Sequence, residues 1–152
     1  MFTLVPTSSF DPALERETLA EVAVVGGSVA VAHKEIPQYG AVLIYTVDED
    51  SSVAGGPEIF HLLEALPSCR EYNKILCSIR DGVLYLAIAQ GKSLLLANSY
   101  PVQNFTSAEY YIFLALKSLQ LNPEVSTICW RSPVDADDEM QLYRYFKAVE
   151  KL

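Results

Sequence analysis

The sequence has few basic residues and no apolar stretch long enough to cross a membrane. Across 152 residues, 11 Lys and Arg oppose 19 Asp and Glu, which gives a net charge of −8. The basic residues are scattered singly, and a negative field repels nucleic-acid phosphates. No run approaches the roughly 20 apolar residues of a membrane span, and the N-terminus lacks the basic region of a signal peptide. We therefore expect a cytoplasmic protein that binds neither nucleic acid nor membrane.

Cysteine and histidine are also scarce, which argues against metal and disulfide frameworks. The three cysteines are Cys69, Cys77 and Cys129, an odd count with no CxxC spacing. Without a secretory signal, we expect reduced thiols in a core. Neither His33 nor His61 stands near a cysteine, so a structural zinc site has no local support. The sequence thus predicts no catalytic residue, no metal ligand and no cofactor site.

The acidic residues form two clusters. One is Asp48-Glu49-Asp50, and the other comprises Asp135, Asp137, Asp138 and Glu139. The first reads as a solvated loop and the second as a helix start, where carboxylates favour the positive end of the helix dipole. A divalent-cation site is the alternative for either cluster.

What the sequence does contain is apolar material for a core, since hydrophobic residues make up 51% of the chain. Residues 1–70 predict a short strand, a helix, a hairpin, a buried strand at 41–47, an acidic loop at 48–56 and a helix from Pro57. Asp11 before Pro12 marks the first helix, on which Leu14, Thr18, Leu19 and Val22 would form a stripe. Gly26-Gly27 predicts a two-residue hairpin turn.

Residues 71–152 show a clearer pattern. Apolar runs at 74–80, 83–89 and 92–100 are joined by the turn pairs Asp81-Gly82 and Gln90-Gly91. Two-residue links cannot join parallel neighbours, so these runs predict an antiparallel meander.

Two helices and a strand complete this part of the chain. Thr106 and Glu109 predict a capping box that opens the next helix, and residues 126–132 predict a fourth strand. The last helix would begin near Asp135 and bury Leu142, Phe146 and Val149 along one stripe. The order βββαβα from about residue 74, with an α/β mixed sheet and a crossover to the fourth strand, is that of ribonuclease-H-like domains and of each half of actin-like ATPases.

Specific segments resemble a known family. "FTLVP" near the start, "LLLANSYPVQNFTSAEYYIFLALKSLQLNP" from Leu94 and the final strand and helix are similar to a bacterial family of unknown function, common in Bacteroides-type organisms, with an actin-like ATPase fold. The resemblance implies that this chain lacks most of the first half of a longer protein. Residues 1–70 would be the remnant of a first actin-like subdomain, and residues 71–152 a ribonuclease-H-like subdomain. An exposed sheet edge would then be covered, most simply by self-association.

Active actin-like ATPases grip phosphate with a turn built from small residues, and the sequence has one candidate, Asp81-Gly82. Bulky residues follow it at once, with no second glycine and no Ser or Thr, and the preceding strand "KILCSIR" has no carboxylate. Asp-Gly between alternating runs is instead a strong hairpin signal. We interpret Asp81 as a turn residue.

Three functional hypotheses follow. The first is a non-catalytic actin-like protein that binds another protein or itself, with a homodimer as one form. The second is an ATP-binding member whose phosphate contacts require a missing N-terminal half. The third is a hydrolase whose site uses His33 or His61, with Cys77 as its nucleophile. The residues favour a non-enzymatic role over an enzymatic one.

Overall fold

The computed structural model describes the backbone of residues 1–152 and every side chain except those of Asp50 and Val53. The strands are β1 Phe2–Pro6, β2 Val31–Ile36, β3 Ala41–Thr46, β4 Asn73–Arg80, β5 Val83–Gln90, β6 Ser93–Pro101, β7 Thr127–Trp130 and β8 Ala148–Lys151. The helices are α1 Glu15–Ala20, α2 Glu49–Val53, α3 Glu58–Ala65, α4 Phe105–Ser118 and α5 Ala136–Tyr143. No helix in this described chain is long and apolar enough to span a bilayer.

The chain divides into two compact units, Met1–His61 and Leu62–Leu152. The first unit contains a three-stranded antiparallel sheet in the order β1-β3-β2. Its central strand is the predicted buried run: Val42, Leu43 and Ile44 are at most 1% exposed. A central strand buries both faces, which explains why its apolar residues are continuous rather than alternating.

The predicted hairpin at Gly26-Gly27 is wrong. A two-residue primed turn needs positive φ at both central residues, and neither glycine has it. Residues 21–30, which lie between α1 and β2, form turns and irregular chain and contain no strand. The Arg16 side chain explains the difference, because its guanidinium donates to the carbonyls of Gly26 and Val29. That contact holds the segment against α1, so it does not form a strand that pairs with β2.

The first helix is shorter than the apolar pattern of its sequence predicts. Asp11 accepts from the N–H of Ala13, 3.0 Å away, and so caps the turn at Pro12–Leu14, as its position predicts. Of the predicted stripe, however, only Leu19 is buried, and Leu14 and Val22 are 50% and 66% exposed.

The interval 48–56, predicted as a loop, contains α2, because Asp48 accepts from the N–H of Ser51 and starts a helical turn.

The second unit contains a five-stranded mixed sheet in the order β6-β5-β4-β7-β8. The predicted meander is confirmed: β4 pairs antiparallel with β5 and β5 antiparallel with β6. The β4–β7 pair is parallel, so the chain crosses over through α4. α4 and α5 contribute to one core with this sheet, whose fully buried members include Ile75, Leu86, Ile112, Trp130 and Leu142.

The end of the chain differs from its prediction. α5 stops at Tyr143, and residues 148–151 form β8, which pairs parallel with β7. Leu142, Phe146 and Val149 are all buried, yet only Leu142 lies on the helix. Lys147 donates its N–H to the Ser126 carbonyl, 3.0 Å away, which turns the chain into the sheet. Pairing with the otherwise free edge of β7 therefore outweighs the helical spacing of these residues.

The predicted capping box of α4 is also wrong. The N-cap is Asn104, whose Oδ1 accepts from the N–H of Ser107 at 2.8 Å. Thr106 lies inside the helix, and Glu109 Oε1 is buried without a hydrogen-bond partner among the described groups. Asn is at least as good an N-cap as Thr, so the helix begins two residues earlier than the pattern indicates.

Candidate functional site

The Asp81-Gly82 turn joins β4 to β5 as a tight hairpin. Arg80 pairs with Val83, and the two central residues have φ values of 50° and 73°. Both lie in the left-handed region, as a type I′ turn requires. The Gly82 carbonyl accepts from the N–H of Val102, 2.8 Å away. The hairpin prediction is confirmed, and one backbone acceptor of the turn is occupied by the segment that follows β6.

The same sheet end contains the carboxyl ends of the parallel strands β4 and β7, where α/β folds place ligands. Ser132, 7% exposed, accepts at its Oγ from the N–H of Ile79 at 2.9 Å. The Arg131 N–H donates to the Cys77 carbonyl at 2.8 Å. Neither β4 nor β7 contains a carboxylate. Backbone and hydroxyl hydrogen bonds therefore join these two strands at this end of the sheet.

The acids near this end serve the start of α5. Asp135 accepts from the N–H of Asp138 at 2.9 Å, which confirms the predicted helix start. Burial, and then the negative charge of Asp135, raise the pKa of Asp138. Burial, and then the charge of Asp138, raise the pKa of Glu109 on α4. Nowhere in the described part of the chain do three His, Cys, Asp or Glu side chains form a group that could hold a metal ion.

The other acidic cluster has a similar local role. Asp48 accepts from the Ser51 N–H at 2.7 Å and donates its own N–H to Ser51 Oγ at 3.0 Å. The backbone bond from Ser51 is the main reason that the pKa of Asp48 is lowered. These reciprocal bonds are those of a helix cap.

The two histidines lie in the first unit. His33 Nδ1 is 2.6 Å from Glu15 Oε2, and its ring packs on Phe10 with centroids 4.7 Å apart. His61 lies on α3 beside Phe60, and its Nε2 is buried without a partner among the described atoms. The contact between His33 and Glu15 joins β2 to α1. Neither contact is with a cysteine or serine nucleophile.

The cysteines lie in the second unit, and all three are free and buried. Cys69 and Cys129 are 3% and 2% exposed. Cys77 is fully buried in the core beneath α4, and burial raises the pKa of its thiol. Free thiols in the core are what the sequence predicts.

A surface that sequence reasoning did not identify lies along β6 and α4. Tyr100 on β6 stacks on Tyr111 of α4, with ring centroids 4.7 Å apart and planes 14° apart. Tyr110 meets Tyr111 edge-on and is 62% exposed, and Leu114, one turn further, is 49% exposed. We call β6 together with Tyr110, Tyr111 and Leu114 the tyrosine edge. The tyrosine edge thus includes two exposed side chains, Tyr110 and Leu114, on the helix that packs against β6.

The fold of the chain is actin-like. A solved structure from Bacteroides thetaiotaomicron VPI-5482, described as a protein with an actin-like ATPase fold and unknown function, superposes with a TM-score of 0.78 at 17% identity. The superposition covers 99% of this chain and 64% of that chain, so this chain spans less than two thirds of the matched protein. At that identity, the likeness concerns the fold alone.

The family is shown by a second comparison. The chain belongs to the family described as "Protein of unknown function (DUF3822)", which matches residues 1–149. No curated protein matches the chain. The resemblance to a bacterial family of unknown function with an actin-like fold is therefore confirmed, and so is the mixed α/β fold class.

Proposed function

We propose that this chain is a non-catalytic protein of actin-like fold that associates through its tyrosine edge, with a second copy of itself as the partner. The observation that carries the proposal is the edge strand β6. Among the described strands it pairs with β5 alone, it is nine residues long, and it contains no charged residue. Natural edge strands are usually short or protected by charge, since an open edge pairs with other chains.

The outward groups of β6 can be assigned from its hydrogen bonds. In an antiparallel pair, alternate residues direct their N–H and C=O toward the partner strand. The Ser99 N–H bonds to its neighbour, Asn98 Oδ1, at 2.8 Å, so it does not serve β5. Ala97 is two residues from Ser99 on the strand, so both residues direct their backbone N–H and C=O away from β5. A bulge at Leu95 precedes them, which leaves Leu96–Pro101 as the regular part of the edge.

A second copy fits this edge because the pairing is self-complementary. Two β6 strands related by a two-fold axis would pair antiparallel around Ala97. The molecule carries a net charge of −8, and two copies repel each other elsewhere, but β6 itself brings no like charges together. Tyr110 and Leu114 would add apolar area on the helix beside the strands.

Sedimentation velocity over a concentration series tests the proposal. We expect the mass of the wild-type chain to rise from monomer to dimer. Ala97→Pro removes one outward N–H without touching the β5 ladder, and Tyr110→Lys places a charge on the helix, so both variants should remain monomeric. Val125→Lys is the matched control, because Val125 is 64% exposed and lies outside the tyrosine edge. A wild-type chain that stays monomeric at every concentration refutes self-association.

Nucleotide binding is a second candidate, favoured by the coverage of the matched structure. This chain spans 64% of that protein, so a phosphate site there could include residues that have no counterpart here. In that reading the first subdomain remnant is residues 1–70, and residues 71–152 form a ribonuclease-H-like subdomain in the cytoplasm. Calorimetric titration with Mg-ATP separates the two candidates: saturable, magnesium-dependent heat would favour nucleotide binding.

A further inference from the structure

The side chain of Asn98 covers one of the hydrogen-bond donors on the open edge of β6. Its Oδ1 accepts from the backbone N–H of Ser99 at 2.8 Å. Because that N–H points away from β5, Asn98 Oδ1 occupies the place where a carbonyl of a pairing strand would lie. Among the described residues, this is the one hydrogen bond that the Asn98 side chain makes.

The outward direction of the Ser99 N–H also follows from the register of the sheet. Next to the β4–β5 turn, Val83 directs its backbone groups toward the opposite residue of β4, so its neighbour Leu84 directs its own toward β6. Leu84 pairs with Tyr100, which therefore faces β5. The residues on either side of Tyr100, Ser99 and Pro101, direct their backbone groups outward.

Few free donors remain on this edge. The regular part of the edge, Leu96–Pro101, has its outward positions at Ala97, Ser99 and Pro101. Proline has no N–H, and the Ser99 N–H is covered by Asn98. The Ala97 N–H is thus the one outward donor of this segment that is open to a partner strand. Edge strands are commonly protected by proline and by other groups that limit pairing.

We propose that Asn98 is a latch that regulates self-association: it covers the Ser99 N–H in the monomer and is displaced when a second copy pairs with β6. This inference rests on the dimer proposed above. With the latch closed, two copies exchange backbone hydrogen bonds at Ala97 alone. With the latch open, the Ser99 N–H of each copy can donate to a carbonyl of the partner strand, so each copy adds one bond.

The latch can open because water can replace its contact. Asn98 is exposed, so its amide can rotate into solvent and find new hydrogen bonds there. The Ser99 N–H then exchanges a side-chain acceptor for a backbone acceptor, and the net gain of such an exchange is small. Asn98 therefore weakens association without preventing it, and an isolated copy keeps this donor covered.

Amide hydrogen exchange in the wild-type monomer tests the closed latch without any variant. Exchange is followed by NMR at a concentration where sedimentation shows a monomer, and the rates are corrected for their intrinsic sequence dependence. We expect the Ser99 N–H to exchange about fivefold more slowly than the Ala97 N–H, because only the first is hydrogen-bonded. Asn98→Ala should remove this difference. Equal protection of the two amides in the wild-type monomer would overturn the latch.

Sedimentation velocity measures the effect of the latch on association. Asn98→Ala frees the Ser99 N–H of both copies, so the dissociation constant of the dimer should fall about tenfold. Gln103→Ala is the matched control, because it removes an exposed side-chain amide just beyond β6 and uncovers no donor of the strand. Its dissociation constant should equal that of the wild type. An equal decrease in both variants would overturn the role of Asn98.

The latch and the dimer fail in different ways. If the wild type dimerises and Asn98→Ala dimerises no more tightly, the tyrosine edge stands and the latch is refuted. If the wild type and Asn98→Ala both stay monomeric at every concentration, self-association is refuted and its regulation with it. A dimer of Asn98→Ala alone would support the latch and refute self-association of the wild type.

Discussion

The backbone N–H of Ile79 donates to the buried Oγ of Ser132, 2.9 Å away. Regular β4–β7 pairing ends at Cys77 and Trp130, and the Arg131 N–H bonds to the Cys77 carbonyl just beyond. At the next position the β7 backbone has turned away from β4. The Ser132 hydroxyl there takes the place of a backbone carbonyl as the acceptor of the Ile79 N–H. A backbone donor close to the core is satisfied by one hydroxyl.

Ser132→Ala should lower the free energy of unfolding by about 1–2 kcal/mol, because it leaves the Ile79 N–H without its acceptor in a largely dry position. Urea unfolding followed by circular dichroism measures the change. The control is Ser93→Ala at the exposed start of β6, which should shift the value by less than about 0.5 kcal/mol. Equal effects at the two serines would mean that the Ser132 bond contributes nothing measurable.

Asp81 is the turn position where side-chain type should matter most. Its φ of 50° is tolerated by Asp and free for Gly, but a β-branched residue is strained there. Asp81→Gly should leave stability near the wild-type value, whereas Asp81→Val should lower it by about 1–2 kcal/mol. Thermal unfolding of the two variants gives the comparison. A valine variant as stable as the glycine variant would contradict the left-handed turn.

The meander was predictable because its signals are local. Asp81-Gly82 sets the turn from its own backbone preferences, and the flanking runs are long enough to show their pattern. The pair Gly26-Gly27 carries an equally strong local signal, but Arg16 binds two carbonyls of that segment. The conformation of that segment is therefore determined by a side chain of α1, and the local turn preference of the two glycines does not predict such a contact.

Contacts between distant residues explain the remaining differences. Val149 has helical spacing from Leu142, yet it pairs in register with Ile128 of β7. The Tyr100–Tyr111 stack likewise joins residues that have no sequence pattern in common. That stack depends on how α4 packs beside β6, which no local sequence pattern reports.

Alanine substitutions at Asn104 and Thr106 should have different effects on stability, because only Asn104 caps α4. Asn104→Ala removes the oxygen that accepts from the Ser107 N–H, so it should cost about 1 kcal/mol of stability. Thr106→Ala removes an exposed hydroxyl inside the helix and replaces it with the best helix former, so stability should stay the same or rise slightly. Denaturant unfolding of both variants decides between the two caps. If Thr106→Ala lost more stability than Asn104→Ala, Thr106 rather than Asn104 would be the N-cap.

Glu109 should destabilise the fold at neutral pH. Burial first, and the charge of Asp138 second, raise the pKa of its carboxyl above the ordinary value of 4.5, and its Oε1 lacks a hydrogen-bond partner among the described groups. A raised pKa means that the folded state binds the proton more tightly than the unfolded chain. The penalty is therefore fully present above the folded pKa, and it disappears as the pH falls through that value toward 4.5.

Glu109→Gln removes the charge and keeps the shape, so it should raise the melting temperature at pH 7. The difference from the wild type should shrink as the pH approaches 4.5, because the wild-type carboxyl is then protonated as well. Glu64→Gln, at an exposed position of α3, is the charge-matched control and should show no such pH-dependent gain. Calorimetric scans at a series of pH values measure both. A gain that is the same at every pH would assign the effect to the amide rather than to the lost charge.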